Sequence, residues 1–188
     1  MYNIYDFDKT IYAGDSTIDF YVFAILKKPI LLKYIPKQLW HIIKYSLKLE
    51  NKDTFKGNFL IFIKDIEELD NFVGMFWMAK KGKINKWYLD RPHNDDVIIS
   101  ASPEFLLKSI SESLGVYKLI ATRVDIKTGK LIGKNCFGQT KLIRYKKEIG
   151  DVDVNECYSD SMSDLPIFKI ADRAYLVRGS KISLLNIE

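Results

Sequence analysis

The 188-residue sequence predicts an α/β fold, a parallel sheet with a small helical unit inserted after its first strand. Short apolar runs recur along the chain and alternate with helical patterns. Several of these runs end directly in acidic or hydroxyl residues. The stretch 15–90 breaks the alternation: it holds all three tryptophans, Trp40, Trp77 and Trp87, long apolar-basic patterns such as KQLWHIIKYSLKL, and no clear strand.

In chain order, Asn3–Phe7 reads as the first strand and runs into an acidic cluster. The region from Asp15 to Asp90 follows as a helical cap, so that residues 1–14 and 91–188 form the core. Val97–Ser100 is the next strand, and the Pro-Glu start of Pro103–Leu114 suits a helix opening. A strand at Leu119–Ala121, a hairpin-like turn at Thr128-Gly129 and a helix at Thr140–Ile149 come next. Val154–Tyr158 then reads as a strand, Met162–Ala171 as a helix and Ala174–Val177 as a last strand.

A composition of 47% hydrophobic and 28% charged residues supports one core plus a small inserted unit. The net charge of +5 favours anionic partners without selecting among them. Cys136 and Cys157 are too few for a disulfide framework and read as reduced, buried thiols. His41 and His93 lack the spaced partners of a zinc site. The most apolar run, Tyr21 to Leu26, lies between Asp19 and Lys27, far short of the roughly 20 residues that span a bilayer. Asp6 and Asp8 stand where a secretory leader is cationic and then apolar, so a cytoplasmic location is expected. The basic charge is mostly dispersed lysine with no RNA-binding aromatic signature, so nucleic acid is not an expected partner.

Four features fall at carboxyl ends of strands, where open α/β sheets bind ligands. Asp6-Phe7-Asp8-Lys9-Thr10 follows the first, Ser100 closes the second, Lys141 opens the helix after the hairpin, and Asp160 and Asp164 in YSDSMSD follow the fourth. Phosphoryl transfer explains the combination. Anionic oxygens shield phosphorus, so a carboxylate attacks only when that charge is neutralised. A hard cation held by oxygen does most of this, and Mg²⁺ is expected on Asp6, Asp160 and a backbone carbonyl, with Asp8 in the same ligand set. Lys141 adds positive charge and Ser100 can donate to a phosphate oxygen. Asp6 would form an aspartyl-phosphate, while Asp8, two residues on and facing the same side, protonates the leaving oxygen and later deprotonates water.

The motifs DFDKT, IISAS, Lys141 and YSDSMSD together resemble those of the haloacid dehalogenase superfamily of phosphatases, in the branch with a small helical cap after the first strand. The resemblance implies a Rossmann-like core. It implies Asp6 as nucleophile and Asp8 as acid/base, Ser100, Ala101 and Lys141 on phosphate, Asp160 on magnesium, and Asp164 and Thr10 in support. Two subfamilies compete for the substrate. Phosphoserine phosphatases place an acidic residue where Asp15 stands, but they grip the substrate carboxylate with a cap arginine. Residues 1–90 contain no arginine, and Lys56 offers only a point charge. Their Ser-Gly-Gly and Gly-Asp are here Ser100-Ala101-Ser102 and Ser159-Asp160. The pattern SASPE, CFGQTK, YSDSMSDLP is more similar to bacterial phosphatidylglycerophosphatases of the C type, which implies a lipid phosphate. From Phe20 to Lys56, eight lysines stand against Glu50 and Asp53 among bulky apolar residues. Such a face suits either an anionic membrane leaflet or packing within the cap itself. A phosphorelay receiver domain also combines aspartates, a hydroxyl and a lysine, but its phospho-acceptor follows the third strand.

Overall fold

In the computed structural model, which describes residues 1–187, strand β1 (Tyr2–Tyr5) shows how the sheet is built. Successive side chains of a strand point to opposite faces, and Ile4 and Tyr5 enter two different apolar clusters. Five helices follow: α1 (Ser16–Lys27), α2 (Ile35–Ser46), α3 (Lys52–Phe59), α4 (Leu69–Lys80) and the single turn α5 (Lys86–Leu89). The chain then runs β2 (Asp96–Pro103), α6 (Glu104–Leu114), β3 (Lys118–Thr122), α7 (Gln139–Glu148) and β4 (Val154–Ser159). It ends with α8 (Leu165–Phe168), β5 (Ala171–Arg178) and β6 (Lys181–Leu185). The strand order is β3-β2-β1-β4-β5-β6, parallel throughout except for β6. Because β2 and β4 flank β1 and lead away in opposite directions, a crevice opens beyond their carboxyl ends.

The two faces carry different loads. Val97, Ile99, Ile120 and Cys157 pack on Tyr145 of α7 and Phe168 of α8. On the other face Tyr5, Tyr158 and Tyr175 stack across three neighbouring strands, with ring centroids 4.8 and 4.7 Å apart. Aromatic pairs of this kind strengthen a sheet beyond simple burial. The same cluster takes in Phe20 and Ala24 of α1, Phe72, Phe76 and Trp77 of α4, and Leu107 of α6. Trp77 donates its indole N–H to the Leu106 carbonyl at 2.7 Å. Both ends of the inserted segment therefore share the sheet's core. Among the described residues of α2 and α3, only Gln38 is buried.

Several element boundaries differ from the sequence expectation. The helix expected over Met162–Ala171 is a 3-10 turn at Met162–Asp164 followed by the short α8. Ala171 already pairs with Val154, so the chain must turn back to the sheet by then. β5 begins three residues earlier than expected because Asp172 and Arg173 mask its start; Arg173 reaches Glu156 on the next strand at 3.0 Å. β6 was not expected at all. It is an exposed edge strand turned back through Gly179, so it lacks a buried-strand pattern. The first strand stops at Tyr5, which leaves Asp6 and Phe7 beyond it.

The hairpin-like turn is present as a single antiparallel bridge between Val124 and Leu131. Its Gly129 has φ +74°, and a Cβ there would lie 2.6 Å from Ile61 Cα and 2.7 Å from the Leu60 carbonyl. The turn thus seats directly on the 3-10 segment Leu60–Asp65 of the insertion. Gly129→Ala is expected to cost about 1–3 kcal/mol. A urea midpoint equal to that of the parent would refute this contact.

Candidate active site

Asp6 is the first residue past β1, and its N–H donates to the Tyr158 carbonyl of β4 at 2.8 Å, so the backbone is fixed where the crevice opens. Opposite it stands Lys141, which is 4% exposed. Its Nζ donates to Asp6 Oδ1 at 2.8 Å and to Asp164 Oδ2 at 2.6 Å. Lys141 reaches inward because α7 starts at Gly138, whose φ of 54° and ψ of −127° suit glycine alone. The Ser159 hydroxyl donates to the same Asp164 oxygen at 2.7 Å. One ammonium thus joins the ends of β1 and β4 to the start of α7.

Electrostatics follow from one cation set between two buried carboxylates. Burial pushes the Asp6 carboxyl up to about 7, against the pull of Lys141 and with the repulsion of Asp164 and Asp8 adding to it. Burial alone would lower Lys141, but Asp6 and Asp164 outweigh it and hold the ammonium charged well above its ordinary range. The Asp160 carboxyl is raised as well, first by burial.

Asp8 is placed differently. Its Oδ1 accepts from the Ser16 N–H at 2.7 Å, at the start of α1, and its Oδ2 accepts from the Ser102 hydroxyl. Ser102 Oγ lies 2.9 Å from Thr17 Oγ1. Burial raises the Asp8 carboxyl, Asp15 adds to the rise, and the Ser102 and Ser16 contacts oppose it. A buried carboxyl with a raised pKa is able to carry a proton.

A cavity of about 220 Å³ is lined by Asp6, Asp8, Lys9, Ser100, Ala101, Lys141, Asp160 and Asp164, among others. It adjoins a second of about 260 Å³, which shares Asp8, Asp15, Lys52 and Ala101 with it. The second adds Thr17, Ile18, Phe55, Lys56, Phe59, Ser102 and Asn135. There Lys56 Nζ donates to the Ala101 carbonyl and to Asn135 Oδ1, the latter at 3.2 Å. Burial pulls Lys56 down to about 8, although Asp8 and Asp15 favour its charge. Asp15 caps α1, accepting the Ile18 N–H at 3.0 Å, which leaves its other oxygen for the cavity.

The donors fit a hard cation in part of the expected form. Asp164 Oδ1 is buried with no hydrogen-bond partner, and the oxygens here all suit magnesium. No group of three His, Cys, Asp or Glu side chains converges as a metal cage among the described residues. The Asp8 carboxylate accepts from Ser16 and Ser102, so the backbone carbonyl is the group through which Asp8 would join the expected ligand set. Two carboxylates, a carbonyl and waters remain a normal magnesium shell.

Of the expected residues, Asp6, Asp8, Asp15, Ser100, Ala101, Lys141, Asp160 and Asp164 line the first cavity and Lys56 the second. Thr10 lies outside both. It is fully buried, its carbonyl accepts from Asn85 at 2.7 Å, and its hydroxyl has no partner. Sequence reasoning missed Ser102, Thr17, Lys52, Asn135 and Lys9. Lys9 carried no signal, yet it adopts a left-handed φ of 57° three residues after Asp6, strain of a kind that collects at functional sites.

Comparison with known proteins decides the family. The signature described as haloacid dehalogenase-like hydrolase matches residues 4–169. The chain belongs to that family. This haloacid dehalogenase-like hydrolase is 34% identical over 102 residues to Protein CicA of Caulobacter vibrioides, a match covering 51% of the chain and 40% of CicA. It is 32% identical over 90 residues to "Probable phosphatase Rv3661" of Mycobacterium tuberculosis, covering 44% of the chain and 31% of that protein. Both matches thus span less than half of the relatives' length. Among solved structures, a protein of unknown function from Bordetella pertussis superposes with a TM-score of 0.76 at 18% identity, covering 92% of this chain and 87% of that one. A phosphoserine phosphohydrolase-like protein from Francisella tularensis gives 0.63 at 14% identity, covering 93% and 86%. These similarities establish the fold.

Removing Lys141 leaves Asp6 and Asp164 facing each other, buried and unpaired. Lys141→Met is expected to lose about 3–5 kcal/mol of stability in metal-free buffer at pH 8. Denaturation curves that superpose on the parent's would show that the pair is not what holds this edge of the sheet.

Proposed function

We propose that this chain is a Mg²⁺-dependent phosphatase that hydrolyses a phosphomonoester through an aspartyl-phosphate on Asp6. The observation that supports it most is the joint arrangement of Asp6, Ser100 and Lys141 around one cavity, with Asp8 between that cavity and the next. Bound at Asp6 and Asp160, Mg²⁺ would neutralise phosphate oxygens as a Lewis acid. Asp6 attacks phosphorus, and the ester P–O bond breaks as Asp8 gives its proton to the leaving oxygen. Asp8 then takes a proton from water, whose oxygen attacks phosphorus, and the Asp6–phosphorus bond breaks to release inorganic phosphate. Lys141 and the Ser100 hydroxyl hold the phosphoryl oxygens, while Ser102 and Ser16 fix the Asp8 carboxylate. Residues 15–90 act as the cap and 1–14 with 91–188 as the core, working on a cytoplasmic substrate.

The second cavity receives the leaving group. Lys52 and Lys56 suit a second anionic group on it, and Asp15 suits a hydroxyl or amine. A lipid phosphate whose headgroup bears a second phosphate meets this demand, and Ile18, Phe55 and Phe59 give the pocket an apolar wall. A small soluble ester such as phosphoserine is the alternative, favoured by the pairing of Asp15 with Lys56 in one pocket.

Phosphate release from phosphatidylglycerophosphate in mixed micelles, O-phosphoserine and sugar phosphates tests the reading. Chelation of magnesium and Asp6→Asn should each lower turnover at least about a thousandfold, and a fully active Asp6→Asn would end the mechanism.

Lys56 gives a test of the leaving-group site. Its folded pKa of about 8 lies below the ordinary 10.5, so charge at this position opposes folding below pH 8 and the penalty lifts as pH rises toward 10.5. Lys56→Met should therefore raise stability by about 1–3 kcal/mol at pH 7, less at pH 10, while raising KM about tenfold or more. In the parent, KM should climb above pH 8 as Lys56 loses its proton. An unchanged KM in Lys56→Met would remove Lys56 from substrate binding.

A further inference from the structure

Helix α2 is inside out. Gln38, His41 and Tyr45 share one face at helical spacing; Gln38 is buried, His41 is half-buried and Tyr45, 39% exposed, lies at the edge of that face. Gln38 is 3% exposed; its amide oxygen accepts from the Tyr21 hydroxyl and its amide nitrogen donates to the Phe59 carbonyl at 2.8 Å. His41 Nδ1 lies 2.7 Å from Glu50, and Tyr45 stacks on Phe55. The opposite stripe, Leu39, Trp40, Ile43 and Leu47, faces outward at 52, 56, 50 and 63% exposure. An ordinary surface helix has the reverse arrangement. The stripe is extended by exposed Ile30 and Leu32 before the helix and Leu49 after it. Several large apolar side chains exposed along one helix face are the pattern of a contact site.

Charge narrows the occupant. From Phe20 to Leu49 the sequence has six lysines and no Asp or Glu. Lys44 lies 5.3 Å from the Trp40 ring, on the border of the stripe. A second copy of this chain would bring lysines against lysines, so self-association across this face is disfavoured. Apolar side chains with an aromatic, rimmed by lysine alone, fit an anionic lipid leaflet, where apolar groups enter the headgroup boundary and lysines meet phosphate.

We infer that the α2 face, with the exposed leucines of the loop that follows, docks this chain on the surface of an anionic bilayer. Leu49 at that loop is three residues from Lys52 and six from Phe55, both of which line the proposed leaving-group cavity. Docking there places the cavity beside the headgroups. The inference deepens the lipid-phosphate reading, but its test does not depend on turnover.

The experiment is co-sedimentation of the full chain with vesicles of phosphatidylcholine plus phosphatidylglycerol, beside pure phosphatidylcholine. Binding to the mixed vesicles is expected, weakening with salt, with a blue shift in tryptophan emission that Trp40→Phe abolishes. Leu39→Asp with Ile43→Asp should lower the partition at least about tenfold while phosphate release from a soluble ester stays unchanged, which also shows that the variant folds. Trp40→Ser, a milder change, should give a smaller loss in the same direction. Asp6→Asn should bind vesicles like the parent. Loss of turnover with binding intact would therefore sink the phosphatase reading alone. Equal binding to both vesicle types, or none to either with turnover intact, would overturn the docking inference. Capture on polyglutamate without any vesicle binding would overturn it in favour of an acidic protein partner.

Discussion

The ammonium of Lys141, held between Asp6 and Asp164, is the interaction on which the rest of the site depends. It is long-range in sequence, joining residue 141 to residue 6, and it ties together three segments that leave the sheet at different points. Each carboxylate is expensive to bury alone, and the lysine is expensive to bury without them. The arrangement is nonetheless one positive charge short. The Asp6 carboxyl is raised to about 7, first by burial and then by Asp164 and Asp8 against the pull of Lys141, and Asp164 Oδ1 has no hydrogen-bond partner. An excess of buried negative charge of this kind is the reason a cation, and with it a phosphoryl group, is proposed here.

Much of this was legible in the sequence because Asp6 and Asp160 lie just past strands, Ser100 lies in the last half of one and Lys141 in the first turn of a helix. Asp6, Ser100 and Asp160 end runs whose apolar character marks them as buried, and the sheet order does the rest. Ser102 and Thr17 were illegible for the opposite reason. Ser102 meets Asp8, and Thr17 meets Ser102, only because α1 starts over the end of β2, a contact between residues 85 apart that no local pattern encodes. Lys52 and Asn135 likewise reach the second cavity from the insertion and from the loop before α7. β6 escaped notice because an exposed edge strand has no buried side to display. The 162–171 region misled through its apolar spacing, which serves a 3-10 turn, a short helix and the first residue of β5 in succession.

The KQLWHIIKYSLKL pattern was legible as amphipathic, but its orientation was not. Periodicity locates two faces and does not say which one is turned inward. The inward choice rests on Gln38, whose amide is satisfied at both ends inside the inserted segment, with Tyr21, Phe59 and Phe62 packed together beside it.

Energetics make that choice informative. Two hydrogen bonds from Gln38 contribute about 1 kcal/mol each, whereas burying Leu39, Trp40, Ile43 and Leu47 would contribute about 1.5–3 kcal/mol apiece. Stability of the isolated chain alone would favour rolling α2 over, if the space beneath it could take those side chains. Tyr21, Phe59 and Phe62 already occupy the space beside Gln38, and interiors packed to native density do not accept four more large groups without strain. The apolar stripe stays exposed in this fold, and its burial against something outside the chain is what the proposed docking supplies.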